Sequence, residues 1–305
     1  MPGCRIETGR IMNTVPLSNE PKNNAHHTRI SIEFAGTNCL LLCAGSTALL
    51  IDPHFTRPRK IALLHKIAPR PAAIHRGLQR FSTAGPDAIL LTHTHYDHAL
   101  DAACTAQITG APLYGSPSAM ALGSAAGLPV VQMHAAQPYK VITLGDFKLT
   151  FLPTTHLPFP GPFSNWFGVQ DRITQPITPP AWFWQYRPGL IYALLLEYGH
   201  TRLLVQGSAG IWPGPAPSAN AAILSIGGLG LQSAAYRRTW FRHNLVDTGV
   251  QRALFSHWDD FMRPLTQQPV RVPGTAIALK HIRRLAQENP GLNGVLLQPG
   301  ERIEL

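Results

Sequence analysis

LLTHTHYDH, residues 90–98, is the stretch of sequence that decides how this 305-residue chain is interpreted. It places four candidate metal ligands directly after an apolar run: His93, His95, Asp97 and His98. The two histidines that lie two positions apart point the same way in an extended chain, and the last two ligands then follow from a turn. Imidazole and carboxylate together suit a borderline cation such as zinc, so the stretch predicts a metal site.

The same four side chains also predict two neighbouring ions. The first pair addresses one point, and the Asp97–His98 pair can address a second point a few ångströms away. Two cations about 3.5–4 Å apart form the clamp that hydrolases use to hold a bridging hydroxide. A lone histidine is usually a structural residue, whereas HxHxDH after a buried strand is far more specific.

The motif resembles the HxHxDH signature of the metallo-β-lactamase superfamily. The resemblance covers the chain from about Arg29 to the C-terminus. It implies the α/β (α+β) class: a four-layer αββα sandwich of two mixed β-sheets flanked by helices, with the metals at one edge. Leu50-Ile51-Asp52-Pro53, and Leu100-Asp101 after the motif, resemble the branch of ascorbate-phosphate lactonases and N-acyl phosphatidylethanolamine phospholipase D-type enzymes.

The resemblance implies two further ligands at the ends of predicted strands. His156 follows the strand predicted over Phe147–Leu152 and would complete a three-histidine set with His93 and His95. His257 follows the strand predicted over Arg252–Phe255 and would join Asp97 and His98 on a second ion. An ordinary loop histidine is the alternative interpretation at each position. The implied cofactor is Zn²⁺, as one or two ions, with Mn²⁺ or Fe²⁺ as alternatives.

One position departs from the family pattern. The strand ending in Val205-Gln206-Gly207-Ser208 matches one that normally ends in Gly-Asp, whose carboxylate bridges the two metals. A hydroxyl is a weak, neutral ligand beside a carboxylate. Three outcomes stay open: a single metal, two metals bridged by water alone, or a substitute carboxylate. Asp259 and Asp260 are the candidate substitutes, and a solvated or loop-capping pair is the alternative role for them.

Asp52 is expected beside the metals as a hydrogen-bond acceptor that supports the motif loop. Metal-bound histidines need such acceptors to fix their tautomer. The alternative is an aspartate that simply turns the chain before Pro53. In the catalytic roles that the family implies, a metal-activated water attacks a carbonyl or phosphoryl centre, with Asp97 and His98 in the catalytic set. The predicted activity is hydrolysis of a phosphodiester, phospholipid or lactone.

An insertion over about residues 157–189 is the best indication of the substrate. It is rich in aromatic residues and directly follows His156, so it could cover the site. An aromatic lid suits an apolar or lipid-like group, and Arg172 and Arg187 could meet an anionic head group. Packing within an irregular loop, or a contact in a homo-oligomer, is an equal alternative. A non-catalytic metal-binding or scaffold protein of the same fold, silenced at Ser208, is the second hypothesis.

Composition limits the remaining possibilities. The formal net charge of +10 favours anionic ligands or serves solubility alone. No basic arm is evident, so no nucleic-acid partner is expected, and no apolar run is long enough for a transmembrane helix. Four cysteines without a CxxC pair favour a reducing compartment, and the cytoplasm is predicted. We expect a flexible tail over residues 1–28 and one domain over 29–305.

Two local predictions matter below. Residues 54–86 are rich in Arg, His and Pro, and a short helix is predicted there only over Ile61–Ile67. The apolar run Val130–Met133 predicts a strand.

Overall fold

The computed structural model describes residues 29–83, 85–159, 172–265 and 269–305. The predicted N-terminal tail and the central part of the aromatic insertion lie outside these ranges. No helix in the described ranges is long and apolar enough to cross a lipid bilayer.

The described residues form fourteen strands. In chain order they are β1 (Ser31–Phe34), β2 (Leu40–Ala44), β3 (Thr47–Ile51), β4 (Ala88–Leu90), β5 (Leu113–Gly115), β6 (Met133–Ala135), β7 (Val141–Leu144), β8 (Phe147–Pro153), β9 (Tyr192–Tyr198), β10 (Thr201–Gln206), β11 (Ala221–Ser225), β12 (Arg252–Ser256), β13 (Asn293–Leu296) and β14 (Arg302–Glu304). They make two seven-stranded sheets, ordered β14-β1-β2-β3-β4-β5-β6 and β13-β12-β11-β10-β9-β8-β7. Both sheets mix parallel and antiparallel pairs.

Six α-helices lie among the described residues: α1 (Pro71–Leu78), α2 (Tyr96–Ala99), α3 (Ala102–Thr109), α4 (Pro117–Ala125), α5 (Ala234–Phe241) and α6 (Thr275–Gln287). Short 3₁₀ turns cover Lys60–Leu64, Val130–Gln132, Phe183–Gln185 and Leu229–Leu231, and a π-helical turn over Arg242–Val246 continues α5. The side chain of Ser116 caps α4 by accepting a hydrogen bond from the Ala119 amide at 3.3 Å.

Three apolar layers hold the elements together. Alternate residues of both sheets face each other in the central layer, where Phe34 and Leu42 of the first sheet and Phe151 and Leu254 of the second are buried. Residues on the opposite face of the first sheet pack with α3 and α4, and those of the second sheet pack with α5 and α6. This alternation is what two half-covered sheets require, and it confirms the predicted αββα sandwich.

The directions of the strands explain why distant residues meet at one edge. In the first sheet β3 and β4 are parallel. In the second sheet β8 and β10 both run antiparallel to β9, and β10, β11 and β12 are parallel. The C-terminal ends of β8, β10 and β12 therefore lie at the same edge of their sheet. The segments that leave these ends carry His156, Ser208 and His257.

The structure corrects both local predictions. Val130–Gln132 is a 3₁₀ turn, and β6 starts only at Met133, because the apolar side chains of Val130 and Val131 are 81% and 82% exposed and have no layer to join. The short helix predicted over Ile61–Ile67 is a 3₁₀ turn, and the regular helix of that region is α1. Its signal in the sequence was Pro71 in the first turn, where the missing amide costs nothing.

Candidate metal centre

Two groups of side chains at this edge could each hold a cation. The three-histidine cluster consists of His93, His95 and His156, and the aspartate cluster consists of Asp97, His98 and His257. Within each cluster the candidate ligand atoms lie within 4.8 Å of one another. The structure thus brings together the six residues that the sequence offers as candidate ligands, in the two sets anticipated there.

The two clusters are immediate neighbours. The ring centroids of His93 and His98, one from each cluster, are 4.0 Å apart. Within the three-histidine cluster, the ring of His156 lies 5.1 Å from that of His93 and 4.7 Å from that of His95. In the aspartate cluster, Asp97 Oδ2 is 3.1 Å from Nε2 of His257 and 3.7 Å from Nε2 of His98. The arrangement is compact enough for two ions to share one pocket.

Hydrogen bonds fix the tautomers of three of the imidazoles. Nδ1 of His98 donates to Asp52 Oδ2 at 2.8 Å, and Nδ1 of His156 donates to the Leu157 carbonyl at 2.8 Å. Nδ1 of His93 lies 3.1 Å from the Thr92 hydroxyl. Because that hydroxyl donates its proton to Asp52, it accepts the hydrogen bond from Nδ1 of His93. In each ring Nδ1 is thus occupied by a hydrogen bond, and Nε2 is left as the atom that can ligate a metal once it carries no proton.

Asp52 is the acceptor on which this arrangement depends. Its carboxylate accepts from the Thr92 amide at 2.8 Å, the Thr92 hydroxyl at 2.6 Å, Nδ2 of Asn38 at 2.7 Å and Nδ1 of His98. It is completely buried and has a φ of 43°, a conformation that aspartate tolerates better than most residues. The structure therefore places Asp52 behind the motif loop, hydrogen-bonded to His98 and Thr92.

Ser208 occupies the expected place but contacts no other candidate ligand through a hydrogen bond in the described residues. Its hydroxyl accepts from the Leu157 amide at 3.0 Å, which anchors the loop that carries His156. It also lines the cavity above the two clusters. No carboxylate replaces the missing bridging aspartate within either cluster as the structure describes them.

Asp259 and Asp260 have separate roles. Oδ1 of Asp259 accepts from the Thr37 amide at 2.7 Å, and Oδ2 pairs with the buried guanidinium of Arg57. Both oxygens are thus engaged, which matches the loop-capping alternative. Asp260 lies at the cavity wall, 3.2 Å from Nε of Arg263 and 3.7 Å from Nζ of Lys60.

The protonation states favour cation binding. Burial lowers the pKa of His93 and His156 well below the usual value, and neighbouring imidazoles add to this, so both rings are neutral. Burial would raise the pKa of Asp97, but His98 and the hydrogen bond from His257 outweigh it and hold that pKa far below its usual range. Burial would lower the pKa of His98, but Asp97 and Asp52 raise it instead.

The donor set fits a divalent cation of the zinc type. Neutral imidazoles and one ionised carboxylate are its preferred protein ligands. His93 Nε2 and His95 Nδ1 face each other at 3.1 Å, so they must share either a proton or a cation. Asp97 and Asp52 favour a positive charge at His98, which a proton supplies when no metal is bound. A bound cation would supply that charge in place of the proton.

A cavity of about 430 Å³ opens directly above both clusters. Its walls are mainly aromatic and aliphatic; those from the predicted insertion are Leu157, Phe159, Phe183, Trp184 and Tyr186. Two cationic side chains, Lys60 and Arg187, also line it, whereas Arg172 does not. Three other aromatic residues of the predicted insertion, Phe163, Trp166 and Phe167, lie outside the described residues.

Sequence reasoning missed three supporting residues. Asn38 joins the two halves of the site, because Nδ2 donates to Asp52 while Oδ1 accepts from the Ser256 hydroxyl at 2.9 Å. Thr92 connects Asp52 to His93, because its hydroxyl hydrogen-bonds to both. Asp101 accepts from the amides of Phe55 and Thr56, each at 2.6 Å. The available signal was the same for all three: a polar residue inside or beside an otherwise apolar run.

Known proteins resemble this chain in sequence over part of its length. A metal-dependent hydrolase of the UPF0173 group from Pyrobaculum arsenaticum is 32% identical over 128 residues, covering 42% of this chain and 51% of the relative. Another from Myxococcus xanthus is 36% identical over 112 residues, covering 37% of this chain and 33% of the relative. The match therefore spans about half of the length of the first relative and a third of the second.

Solved structures share the fold at low sequence identity. The metallo hydrolase Igni18 from Ignicoccus hospitalis superposes with a TM-score of 0.57 and 16% identity, covering 91% of this chain and 99% of that one. The metallo-beta-lactamase fold protein YhfI from Bacillus subtilis gives a TM-score of 0.52 and 16% identity, covering 91% and 100%.

A family profile settles the relationship. The profile described as the metallo-beta-lactamase superfamily matches residues 32–208, which include most of β1, the motif at residues 93–98 and Ser208. The match covers more than half of the 305 residues. With this match and the sandwich described above, the chain belongs to the metallo-β-lactamase superfamily.

Proposed function

We propose that this protein is a metal-dependent hydrolase that uses a metal-activated water on an ester-type bond. The observation that carries the proposal is the pair of ligand clusters at the floor of a largely apolar cavity. The six candidate ligands are His93, His95, His156, Asp97, His98 and His257. A bound divalent cation supplies a lowered pKa for water, to about 7, and stabilises charge that develops on oxygen.

The chain's own groups supply the rest of the chemistry. Asp97 is ionised and lies at the floor of the cavity, so it can orient a water or take its proton. Asp52 keeps His98 and, through Thr92, His93 in one tautomer, and so holds their Nε2 atoms in place. The aromatic walls exclude bulk water, which strengthens every electrostatic interaction inside.

The cavity also supports a substrate class. Tyr96, Phe183, Trp184 and Phe261 offer a wall for an apolar or acyl group, and Lys60 lies at the same cavity for an anionic one. A small or lipid-like anionic ester, such as a phosphodiester, phospholipid or lactone, fits this combination. The resemblance of residues 50–53 and 100–101 to the lactonase and phospholipase D-type branch supports the same class.

The test combines metal content with turnover. Elemental analysis of the purified protein should give one or two equivalents of zinc, manganese or iron. The metal-loaded protein should hydrolyse at least one substrate in a panel of nitrophenyl phosphodiesters, nitrophenyl acyl esters and lactones, and chelation should abolish that turnover. A protein that holds metal stoichiometrically and turns over none of these would refute the proposal.

Ser208 favours a second candidate function. Without the bridging carboxylate the protein could bind metal without turnover, as a scaffold or metal-binding protein of the same fold. That candidate predicts full metal occupancy together with the absence of turnover across the panel. The same two measurements therefore decide between the candidates.

A further inference from the structure

A second concavity, of about 180 Å³, is lined by arginines. It shares no lining residue with the cavity above the metal centre. Four arginines border it: Arg57, Arg70, Arg76 and Arg80. None of its lining residues in the described ranges carries a carboxylate. Phe55, Pro264 and Leu265 contribute an apolar wall.

Three of the arginines are placed by helix α1 and its approach. Arg76 lies in the last turn of the helix, Arg80 lies in the turn that follows it, and both line the concavity. Arg70 precedes the helix, and its Nη2 donates to the Thr56 carbonyl at 2.6 Å, which holds the guanidinium against the concavity. Gly77 lets the helix approach closely, since a Cβ there would stand 2.1 Å from the ring of Phe55.

Arg57 contributes a buried guanidinium with an unmet donor. Its Nε donates to the Arg263 carbonyl at 2.7 Å, and its Nη2 pairs with Asp259 and donates to the Asp260 carbonyl. Its Nη1 is buried and has no hydrogen-bond partner in the described part of the chain. A buried cationic N–H without an acceptor is costly and calls for an explanation.

Electrostatics points to the missing component. Of the four guanidinium groups, only Arg57 lies within 4.0 Å of a carboxylate oxygen in the described residues. Like charges gathered around one small volume repel each other, and an anion in that volume removes the repulsion. Guanidinium groups present paired donors that match phosphate oxygens, and they lose less hydration than ammonium groups do.

We infer that the concavity is a binding site for a phosphate-bearing anion, separate from the metal centre. The phosphate group lies among the four arginines, where it also offers an acceptor to Nη1 of Arg57, and the organic part of the ligand packs on Phe55 and Leu265. The ligand class is a phosphate monoester or diphosphate. This assignment depends only on the arginines and is independent of the metal chemistry.

The test uses calorimetric titration of pyrophosphate and glycerol phosphate into the metal-loaded protein at low salt. The double variant Arg76→Ala/Arg80→Ala should bind at least about tenfold more weakly, since two charge-assisted contacts are lost. The matched control is Arg238→Ala/Arg242→Ala in α5 and the turn that continues it, which removes the same charge from two other exposed arginines, one of them paired with Asp247. The control should remain within about twofold of the wild type.

Further arms separate the metal centre and the source of the phosphate. In a His95→Ala background, binding that still depends on Arg76 and Arg80 supports the site even if the proposed hydrolase activity fails. Vesicles containing phosphatidic acid, compared with free glycerol phosphate, identify whether a lipid headgroup or a free phosphate compound is preferred. Equal weakening in both double variants, no weakening in either, or no saturable binding to any probe would overturn the inference.

Discussion

The two ligand clusters differ in how their charge and geometry are secured. The aspartate cluster contains an ionised carboxylate, Asp97, and a second buried carboxylate, Asp52, supports it from behind His98. The three-histidine cluster contains no carboxylate, and its supports are the Thr92 hydroxyl and the Leu157 carbonyl. Cation affinity grows with ligand charge, so the three-histidine cluster depends on geometry and the aspartate cluster on charge.

The difference clarifies what Ser208 removes. In the family pattern a carboxylate at this position belongs to both ions, and its loss should weaken most the second ion, the one held by the aspartate cluster. Here the hydroxyl is used to hold the amide of Leu157, and so it supports the position of His156. The consequence is that the two clusters should bind metal more independently of each other. The four predictions that follow test this comparison.

Removing a ligand from the three-histidine cluster should have the largest effect on metal affinity and turnover. His95→Ala leaves two imidazoles, and since loss of a mere supporting group costs about 10–100-fold, loss of a ligand should cost more than about 100-fold in metal affinity and turnover. Titration of zinc into the metal-free protein, with turnover measured in parallel, tests this. The control is His200→Ala, an exposed turn histidine. Unchanged metal stoichiometry in His95→Ala would remove the histidine from the site.

The neighbouring aspartates distinguish a structural carboxylate from a substitute ligand. Asp259→Asn leaves the Arg57 guanidinium buried without its counter-charge, which should lower the free energy of unfolding by about 3–5 kcal/mol. Asp260→Asn disturbs exposed partners, Lys60 and Arg263, and should cost at most about 1 kcal/mol. Chemical denaturation of both variants measures this, with metal content at saturating zinc. A loss of one metal equivalent in Asp259→Asn would make it a ligand after all.

Asp52→Asn tests whether the aspartate cluster depends on the carboxylate behind His98. The amide is similar in size and tolerates the positive φ, but it brings no charge and cannot accept every one of the present donors. Metal affinity and turnover should fall about 10–100-fold. Asp87→Asn is the control, because that carboxylate also accepts a backbone amide, that of Ala48, but lies away from the site. Equal effects of the two substitutions would show a general loss of stability instead.

Much of this architecture could be predicted from the sequence, and the failures have identifiable causes. The six candidate ligands follow strand ends, and strand ends are recognisable because the preceding residues are apolar and buried. Two kinds of feature escaped. Turn residues such as Asn38 act through contacts with segments far away in the chain, and pairings such as Arg57–Asp259 span about 200 positions. Neither leaves a local pattern.

Exposed apolar runs were the other source of error. Val130 and Val131 have the composition of a strand, but β-propensity describes a residue that packs on a sheet face, and these two face solvent. The error over Lys60–Leu64 has a local cause, because so short a run cannot build more than one 3₁₀ turn. For Val130 and Val131 the conformation was decided by tertiary packing, which the sequence does not reveal locally.

Ser208→Asp is the smallest change and the most direct test of the comparison. A carboxylate about 4 Å from a cation contributes at least about 1 kcal/mol even in a high dielectric, which is about fivefold in affinity. The gain should appear mainly as higher occupancy of the ion held by Asp97, His98 and His257. Against it stands the loss of the hydroxyl that accepts from the Leu157 amide, a hydrogen bond of about 1 kcal/mol that a carboxylate can also accept.

Ser208→Asn is the control, since it matches the size without the charge. Metal titration should therefore show tighter binding of the second equivalent in Ser208→Asp only. If both variants leave that second affinity unchanged, Ser208 does not lie between the two ions and the contrast between the clusters has another cause.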